Sequence, residues 1–179
     1  MRRAVFLDRD GVLNRAVHRA GRPFVPASLD ELEILPGVDE ALGRLRAAAF
    51  LLVGATNQPD VARGLVSRES VEAIHEFMRR RLPLDDIRVC YHVDTDRCAC
   101  RKPQPGMLFA AAVSRQIQLH GSFMIGDRWR DIGAGKAAGC TTILVNSFQE
   151  DSAPRISPDI ELPDLPAAAE WILQSGTNR

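Results

Sequence analysis

Carboxylates, one lysine and a run of thiols are the residues whose types and spacing could do chemistry in this sequence. Asp8 and Asp10 stand two residues apart, just past the apolar run Ala4-Val-Phe-Leu7, and Gly11 follows. One such carboxylate could attack a phosphorus atom while the other handles a proton. Glycine permits the tight turn that brings backbone close to a ligand. A solvated turn at a strand end has the same composition. In Ala55-Thr-Asn-Gln58, Thr56 and Asn57 could donate to phosphate oxygens or simply close a turn. Arg101 and Lys102, before Pro103, offer a planar fork and a compact ammonium to an anion, or form an ordinary surface basic pair. In Met124-Ile-Gly-Asp-Arg-Trp-Arg-Asp131, Asp127 and Asp131 supply the hard oxygens that Mg²⁺ prefers. Acids are also favoured at any helix N-terminus.

Three of the four cysteines and one of the four histidines fall in a single stretch, as Cys90, His92, Cys98 and Cys100. Three thiolates and an imidazole suit tetrahedral Zn²⁺, and four protein ligands leave no open position, so such a site is structural. Free thiols beside a surface histidine are the bland alternative. Cys100 adjoins Arg101, so zinc in the loop of residues 90–100 would aim Arg101 and Lys102 at an anion. Cys140 reads as core, and His18, His75 and His120 as surface or packing residues.

The elements that must position these groups follow from hydrophobic periodicity. Apolar runs predict strands at Ala4 to Asp8, Phe50 to Ala55, Ile87 to Tyr91, Ser122 to Gly126 and Thr141 to Val145. Helical spacing predicts helices through Val38 to Leu45, after Ser67 as N-cap, from Pro105 to Ile117, from Ile132 to Ala138, and over about 167–173. Residues 9–35 read as irregular, broken by Gly21, Pro23 and Pro26. Strands alternating with amphipathic helices predict an α/β fold, a three-layer arrangement around a mostly parallel sheet. The polar residues sit just past strand ends, where open α/β sheets bind ligands.

The whole chain, 1–179, reads as one domain: 179 residues at 45% hydrophobic and 26% charged composition suit a single soluble core. Formal net charge is zero, which argues against a nucleic-acid partner. No apolar run approaches the ~20 residues of a membrane span. Met1 to Asp8 meets an acid after four apolar residues, so a signal peptide is not expected. A reducing cytoplasm is the default setting, where clustered cysteines favour metal over disulfides.

Taken in order, Asp-Arg-Asp-Gly-Val-Leu-Asn14, Leu35-Pro-Gly37, Thr-Asn-Gln58, the Cys-x-His and Cys-x-Cys pairs, Arg-Lys-Pro-x-Pro-Gly106 and Gly-Asp-Arg128 resemble the haloacid dehalogenase (HAD) superfamily of phosphohydrolases. Within it the pattern is similar to the D-glycero-D-manno-heptose 1,7-bisphosphate phosphatases and histidinol phosphatase domains. The resemblance implies a Rossmann-like HAD fold and an Mg²⁺-dependent phosphatase. Asp8 would be the nucleophile, forming an aspartyl-phosphate and binding Mg²⁺. Asp10 would protonate the leaving alcohol, then activate water, with its carbonyl on the metal. Thr56 and Lys102 would hold the phosphoryl group, and Asn57 and Arg101 would touch phosphate or substrate. Asp127 would complete the Mg²⁺ ligands, and Asp131 would orient Lys102 or metal waters.

The spans after the first two strands are too short for a separate cap domain, so loops must shape the pocket. Arg15, His18, Arg19 and Arg22 in the first of these are candidates for a second phosphate. Five residues separate His92 from Cys98, a short form of the family's zinc loop, and Pro59-Asp60 stands where Ser-Gly is common. The implied partner is a small phosphorylated metabolite, a heptose bisphosphate before histidinol phosphate, with a 3′-phosphorylated DNA end a distant option. The chain is expected to act as a monomer, without nucleic acid or membrane. A non-catalytic, zinc-stapled binding module is the alternative of a different class.

Overall fold

The computed structural model describes residues 2–19, 22–146 and 156–176. Six strands form one all-parallel sheet: β1 (Ala4–Leu7), β4 (Leu51–Asn57), β5 (Asp86–Cys90), β6 (Phe123–Gly126), β7 (Thr141–Val145) and β8 (Ile160–Leu162), in the order β5-β4-β1-β6-β7-β8. β2 (Val17–Arg19) and β3 (Arg22–Phe24) pair separately as an antiparallel hairpin.

Every residue of β1 is buried, because the strand is covered on both faces. Its side chains alternate between two cores. Val5 and Leu7 pack with Leu42 and Leu45 of α1 (Val38–Ala47), Ile74 and Met78 of α2 (Arg68–Arg81) and Ile172 of α5 (Leu165–Gly176). Ala4 and Phe6 face Met107, Leu108 and Ala111 of α3 (Gly106–Arg115) and Ala138 at the end of α4 (Trp129–Ala138). The three-layer α/β arrangement is therefore as expected, and the sheet is parallel throughout.

Three local expectations need correction. Residues 9–35 are not wholly irregular: they carry the β2–β3 hairpin and a 3-10 turn at Leu29–Glu31, segments too short to leave a periodic signal. The predicted helix through Ile117 closes at Arg115, because Gln116 takes a φ of 54°. Ile117 is buried instead by pairing with Arg2. Beyond the five predicted strands, the chain adds a sixth sheet strand, β8, before the last helix, seated by Asp159, whose carboxylate accepts from both the N–H and the hydroxyl of Thr142 (2.8 and 2.6 Å). Among the described residues, the insertion after β1 is no more than the hairpin and a turn, and that after β4 is a run of turns over 58–66. Neither builds a cap.

Chain order sets the site. The sheet grows from β1 to β4 and β5 on one side, then returns to β6 on the other, so the direction reverses between β1 and β6. Parallel sheets open a crevice at the carboxyl ends of such strands. Asp8 leaves β1 there, its N–H donating to Ile125 O at 2.9 Å, and Asp127 leaves β6 beside it.

Candidate active site

Asp8, Asp127 and Asp131 converge so closely that one oxygen from each lies within 4.8 Å of the others. Two glycines make room. Gly11 has a φ of 90°, and a Cβ there would stand 2.3 Å from Asp127 Oδ2. A Cβ on Gly126 would stand 2.1 Å from the Asp131 Cβ. No side chain fits either place, which gives both glycines of the sequence motifs a steric reason.

Lys102 reaches in from the segment before α3 and is 2% exposed. Its Nζ donates to Asp8 Oδ1 at 2.8 Å and pairs with Asp131 Oδ1 at 2.5 Å. Burial opposes the ammonium, but Asp131 and Asp8 outweigh it and raise its pKa above the usual lysine value. Asp131 spends its other oxygen on the Arg128 N–H (3.1 Å), capping α4. Both of its oxygens are thus engaged, which fits an orienting role for Asp131. Asp8 is pushed up to about 6, chiefly by burial, with Lys102 holding it down and Asp131 and Asp10 pushing it up. Asp127 is raised well above the carboxylate range by burial and then by Asp8, and its Oδ1 is buried without a hydrogen-bond partner. Crowded, under-compensated carboxylates with an unsatisfied oxygen are what a hard divalent cation would relieve, so the donor set fits Mg²⁺.

Asp10 has a different environment. Its carboxylate accepts from Arg9 Nε (3.2 Å) and Nη2 (3.1 Å), Asn14 Nδ2 (3.0 Å) and Gln58 Nε2 (2.9 Å). Burial works to raise its pKa, but the Arg9 charge and these donors prevail and hold it below the usual value. Neighbouring acids are therefore pushed apart, Asp8 up and Asp10 down. Gln58 Nε2 also donates to Thr56 Oγ1 at 2.8 Å, fixing that hydroxyl at the end of β4.

Asn57 and Arg101 line the cleft with Asp8, Asp10, Thr56, Lys102 and Asp131, yet both are already engaged. Asn57 donates to the Lys102 carbonyl and accepts from its N–H, each at 3.1 Å, so it brackets the lysine's backbone. Arg101 donates to both oxygens of Asp94 (2.9 and 3.4 Å) and to the His92 carbonyl (3.2 Å). The expectation that the Cys/His loop aims both cations is thus narrowed. Arg101 is held by that loop, whereas Lys102 is held by β1, β4 and α4. The cleft, about 210 Å³, also presents Arg63, Arg128 and Arg130 at its walls, which the motifs did not single out. Asp94 joins Arg101 to Arg130 (3.0 Å). Ala16, Phe24 and Val25 from the hairpin region close one side. Of the residues proposed for a second phosphate, Arg15 instead pairs with Glu33 at 2.9 Å on the surface. The side chains of His18, Arg19 and Arg22 lie outside the described residues.

Cys90, His92, Cys98 and Cys100 come together as expected. Cys90 Sγ lies 3.7 Å from Cys98 Sγ and 3.1 Å from Cys100 Sγ, and His92 Nδ1 lies 3.6 and 3.3 Å from Cys90 and Cys100. All four cysteines are free thiols. A tetrahedron with Zn–S near 2.3 Å has edges of roughly 3.8 Å, so the four donor atoms already enclose one point. Cys90 ends β5, and its carbonyl accepts from the Gln58 N–H (2.7 Å), tying the loop to the strand that carries Thr56 and Asn57.

A HAD-hydrolase-like family model matches residues 99–168. The chain is 39% identical over 181 residues to the D-glycero-beta-D-manno-heptose-1,7-bisphosphate 7-phosphatase of Bordetella bronchiseptica, covering 95% of this chain and 97% of that protein. It is 35% identical to the enzyme of the same name from Escherichia coli, covering 96% and 88%. The crystal structure of the D,D-heptose 1,7-bisphosphate phosphatase from B. bronchiseptica, complexed with magnesium and phosphate, superposes with a TM-score of 0.82 at 36% identity over 97% of this chain and 99% of that one. No helix among the described residues is long and apolar enough to cross a membrane. With that likeness running along the whole length of the chain, and the acid cluster seated at the reversal of the sheet, the chain belongs to the heptose 1,7-bisphosphate phosphatase family of HAD-like hydrolases.

Proposed function

We propose that this protein is an Mg²⁺-dependent phosphatase that removes the 7-phosphate of a D-glycero-D-manno-heptose 1,7-bisphosphate through an aspartyl-phosphate. The observation that carries the reading is the buried Asp8–Lys102–Asp131 array beside Asp127, in a chain whose magnesium- and phosphate-bound relative matches it end to end.

In this reading Asp8 is the nucleophile. Lys102 at 2.8 Å favours its ionised form and neutralises an incoming phosphoryl group. Magnesium held by Asp8, Asp127 and the Asp10 carbonyl would neutralise charge on the phosphoryl oxygens. Thr56, its hydroxyl fixed by Gln58, donates to the same oxygens. Asp10 protonates the leaving alcohol and then takes a proton from water. In the free protein its lowered pKa keeps it ionised, the form that can accept a proton from water, and the charge of a bound phosphate dianion raises that pKa toward both proton-transfer tasks. Asp131 locks Lys102. Arg101 touches the substrate beyond the phosphoryl group, and Asn57 acts through the Lys102 backbone. Cys90, His92, Cys98 and Cys100 hold structural Zn²⁺. The enzyme is read as a monomer of one domain over residues 1–179.

Phosphate release with Mg²⁺ tests the reading, with ³¹P resonances separating loss at carbon 7 from loss at carbon 1. Turnover of the heptose bisphosphate at carbon 7, far above that of histidinol phosphate or a 3′-phosphorylated oligonucleotide, is expected. Preference for either of those, or no turnover, would overturn it. Asp8→Asn separates an enzyme from a zinc-stapled binding module: it should stay folded and lose essentially all activity.

A further inference from the structure

Arg9, between the two candidate catalytic acids, is 1% exposed and among the largest fully buried side chains of the protein. A guanidinium only donates hydrogen bonds, through a planar fork. One side of that fork, Nε and Nη2, is spent on Asp10. The remaining nitrogen, Nη1, meets His75 Nε2 on α2 at 3.1 Å. Arg9 must be the donor there, so Nε2 carries the lone pair and the ring proton sits on Nδ1, facing Glu72 Oε2 at 3.9 Å. His75 has no exposed surface.

We propose that His75 is a positioning residue for the acid–base carboxylate: its Nε2 anchors the third arm of the Arg9 guanidinium, and the anchored fork orients Asp10 toward the leaving oxygen. Because Arg9 is sealed from solvent, no water can replace this acceptor at low cost. Burial and the adjacent Arg9 push the His75 pKa down to about 4, and the ring stays neutral and able to accept. Glu72, Arg79 and Asp10 are the other charges acting on it. Glu72 itself is held by Tyr91, whose hydroxyl donates to it at 2.5 Å; His75 Nδ1 has no hydrogen-bond partner among the described residues.

The inference rests on the reading of Asp10 as general acid. In that step an Asp8 oxygen bonds to phosphorus. The bond from phosphorus to the leaving oxygen breaks with its electron pair on that oxygen, and the Asp10 proton neutralises it. A leaving group that departs as a stable anion needs no such proton. The test therefore compares kcat/KM, with saturating Mg²⁺, on a sugar phosphate and on p-nitrophenyl phosphate, for wild type, His75→Leu and His75→Gln. Loss of the anchor should lower kcat/KM on the sugar phosphate by at least ~30-fold, a part of the roughly 100- to 10,000-fold that general-acid catalysis supplies, and on the aryl ester by no more than ~3-fold. Glutamine, whose amide oxygen can reach the position of Nε2, should recover most of the loss. His75→Asn, polar but too short to reach Arg9, repeats the comparison if the leucine variant does not fold. Equal losses on both substrates, or glutamine no better than leucine or asparagine, would overturn the proposal while leaving the phosphatase reading intact. A wild type inactive on every phosphate ester would overturn both.

Discussion

Removing zinc should weaken substrate binding far more than it slows the chemical step. Every acceptor of the Arg101 guanidinium, the Asp94 carboxylate and the His92 carbonyl, lies inside the Cys/His loop. Among the described residues no group outside that loop accepts from this guanidinium, so its position depends on whatever closes residues 90–100. Lys102, one residue on, is fixed elsewhere: its backbone by Asn57 and its ammonium by Asp8 and Asp131. A charge-assisted hydrogen bond is worth about 1.5–3 kcal/mol, and each 1.4 kcal/mol is a factor of ten in binding. Releasing Arg101 should therefore raise KM by roughly 10- to 100-fold, because it removes binding common to ground and transition states. By the same logic kcat should fall no more than about threefold. The assay is steady-state turnover after a zinc-selective chelator, with excess Mg²⁺ and zinc content measured on the same sample. Asn57→Ala is the mirror perturbation: it keeps the loop and frees the Lys102 backbone, and it should depress kcat with KM little changed. A kcat collapse on zinc removal, at unchanged KM, would refute the reasoning. It would mean that the loop, and not the strand ends, places the lysine.

Three further outcomes follow from the same contacts. Without metal, Asp8 at about 6 and Asp127 above its usual range bind more protons in the folded than in the unfolded state. Stability should therefore fall as pH rises through about 4 to 6, on the order of 3 kcal/mol for Asp8 alone; melting curves should show Mg²⁺ abolishing that fall, and a metal-free Tm flat across the window would contradict it. Gly11→Ala combines a left-handed backbone with a Cβ 2.3 Å from Asp127 Oδ2; it should cost about 2 kcal/mol or more in urea unfolding and raise the Mg²⁺ concentration for half-maximal activity, whereas unchanged Mg²⁺ dependence would separate that glycine from the metal site. Asp159, held at about 2 by Thr142 and Lys136, contributes stability present above pH 4 and lost as pH falls through about 2; because it is half-exposed, Asp159→Asn should cost only about 1 kcal/mol at neutral pH, and a larger loss that persists at pH 2 would point to strand geometry instead of charge.

What the sequence makes legible here is whatever repeats locally or ends a buried run. β1, β4 and β6 announce themselves as apolar stretches closed by Asp8, Thr56 and Asp127, and parallel topology then requires those ends to meet. Cys90, His92, Cys98 and Cys100 lie within one loop, so their convergence needs no knowledge of the fold. β8 and the β2–β3 hairpin are three-residue strands, shorter than any period that could reveal them. Their positions are set from outside, as when Asp159 binds Thr142.

The same distinction divides the site. Residues that can touch phosphate are recognisable by type, but apart from Asp131, which the family resemblance marks, the residues that hold them are not. An asparagine in Thr-Asn-Gln reads as a donor to an anion. Here both ends of its amide are consumed 45 positions away, on the backbone of Lys102. A histidine at a buried helical position reads as packing, and His75 does pack. Yet 66 positions from Arg9 it supplies the acceptor that the guanidinium could not otherwise find. Such pairs leave no spacing rule, because a buried polar group demands a partner without specifying its place in the chain. The two neighbouring carboxylates are separated in protonation by such partners: take the Arg9, Asn14 and Gln58 donors from Asp10 and its pKa would rise toward that of Asp8.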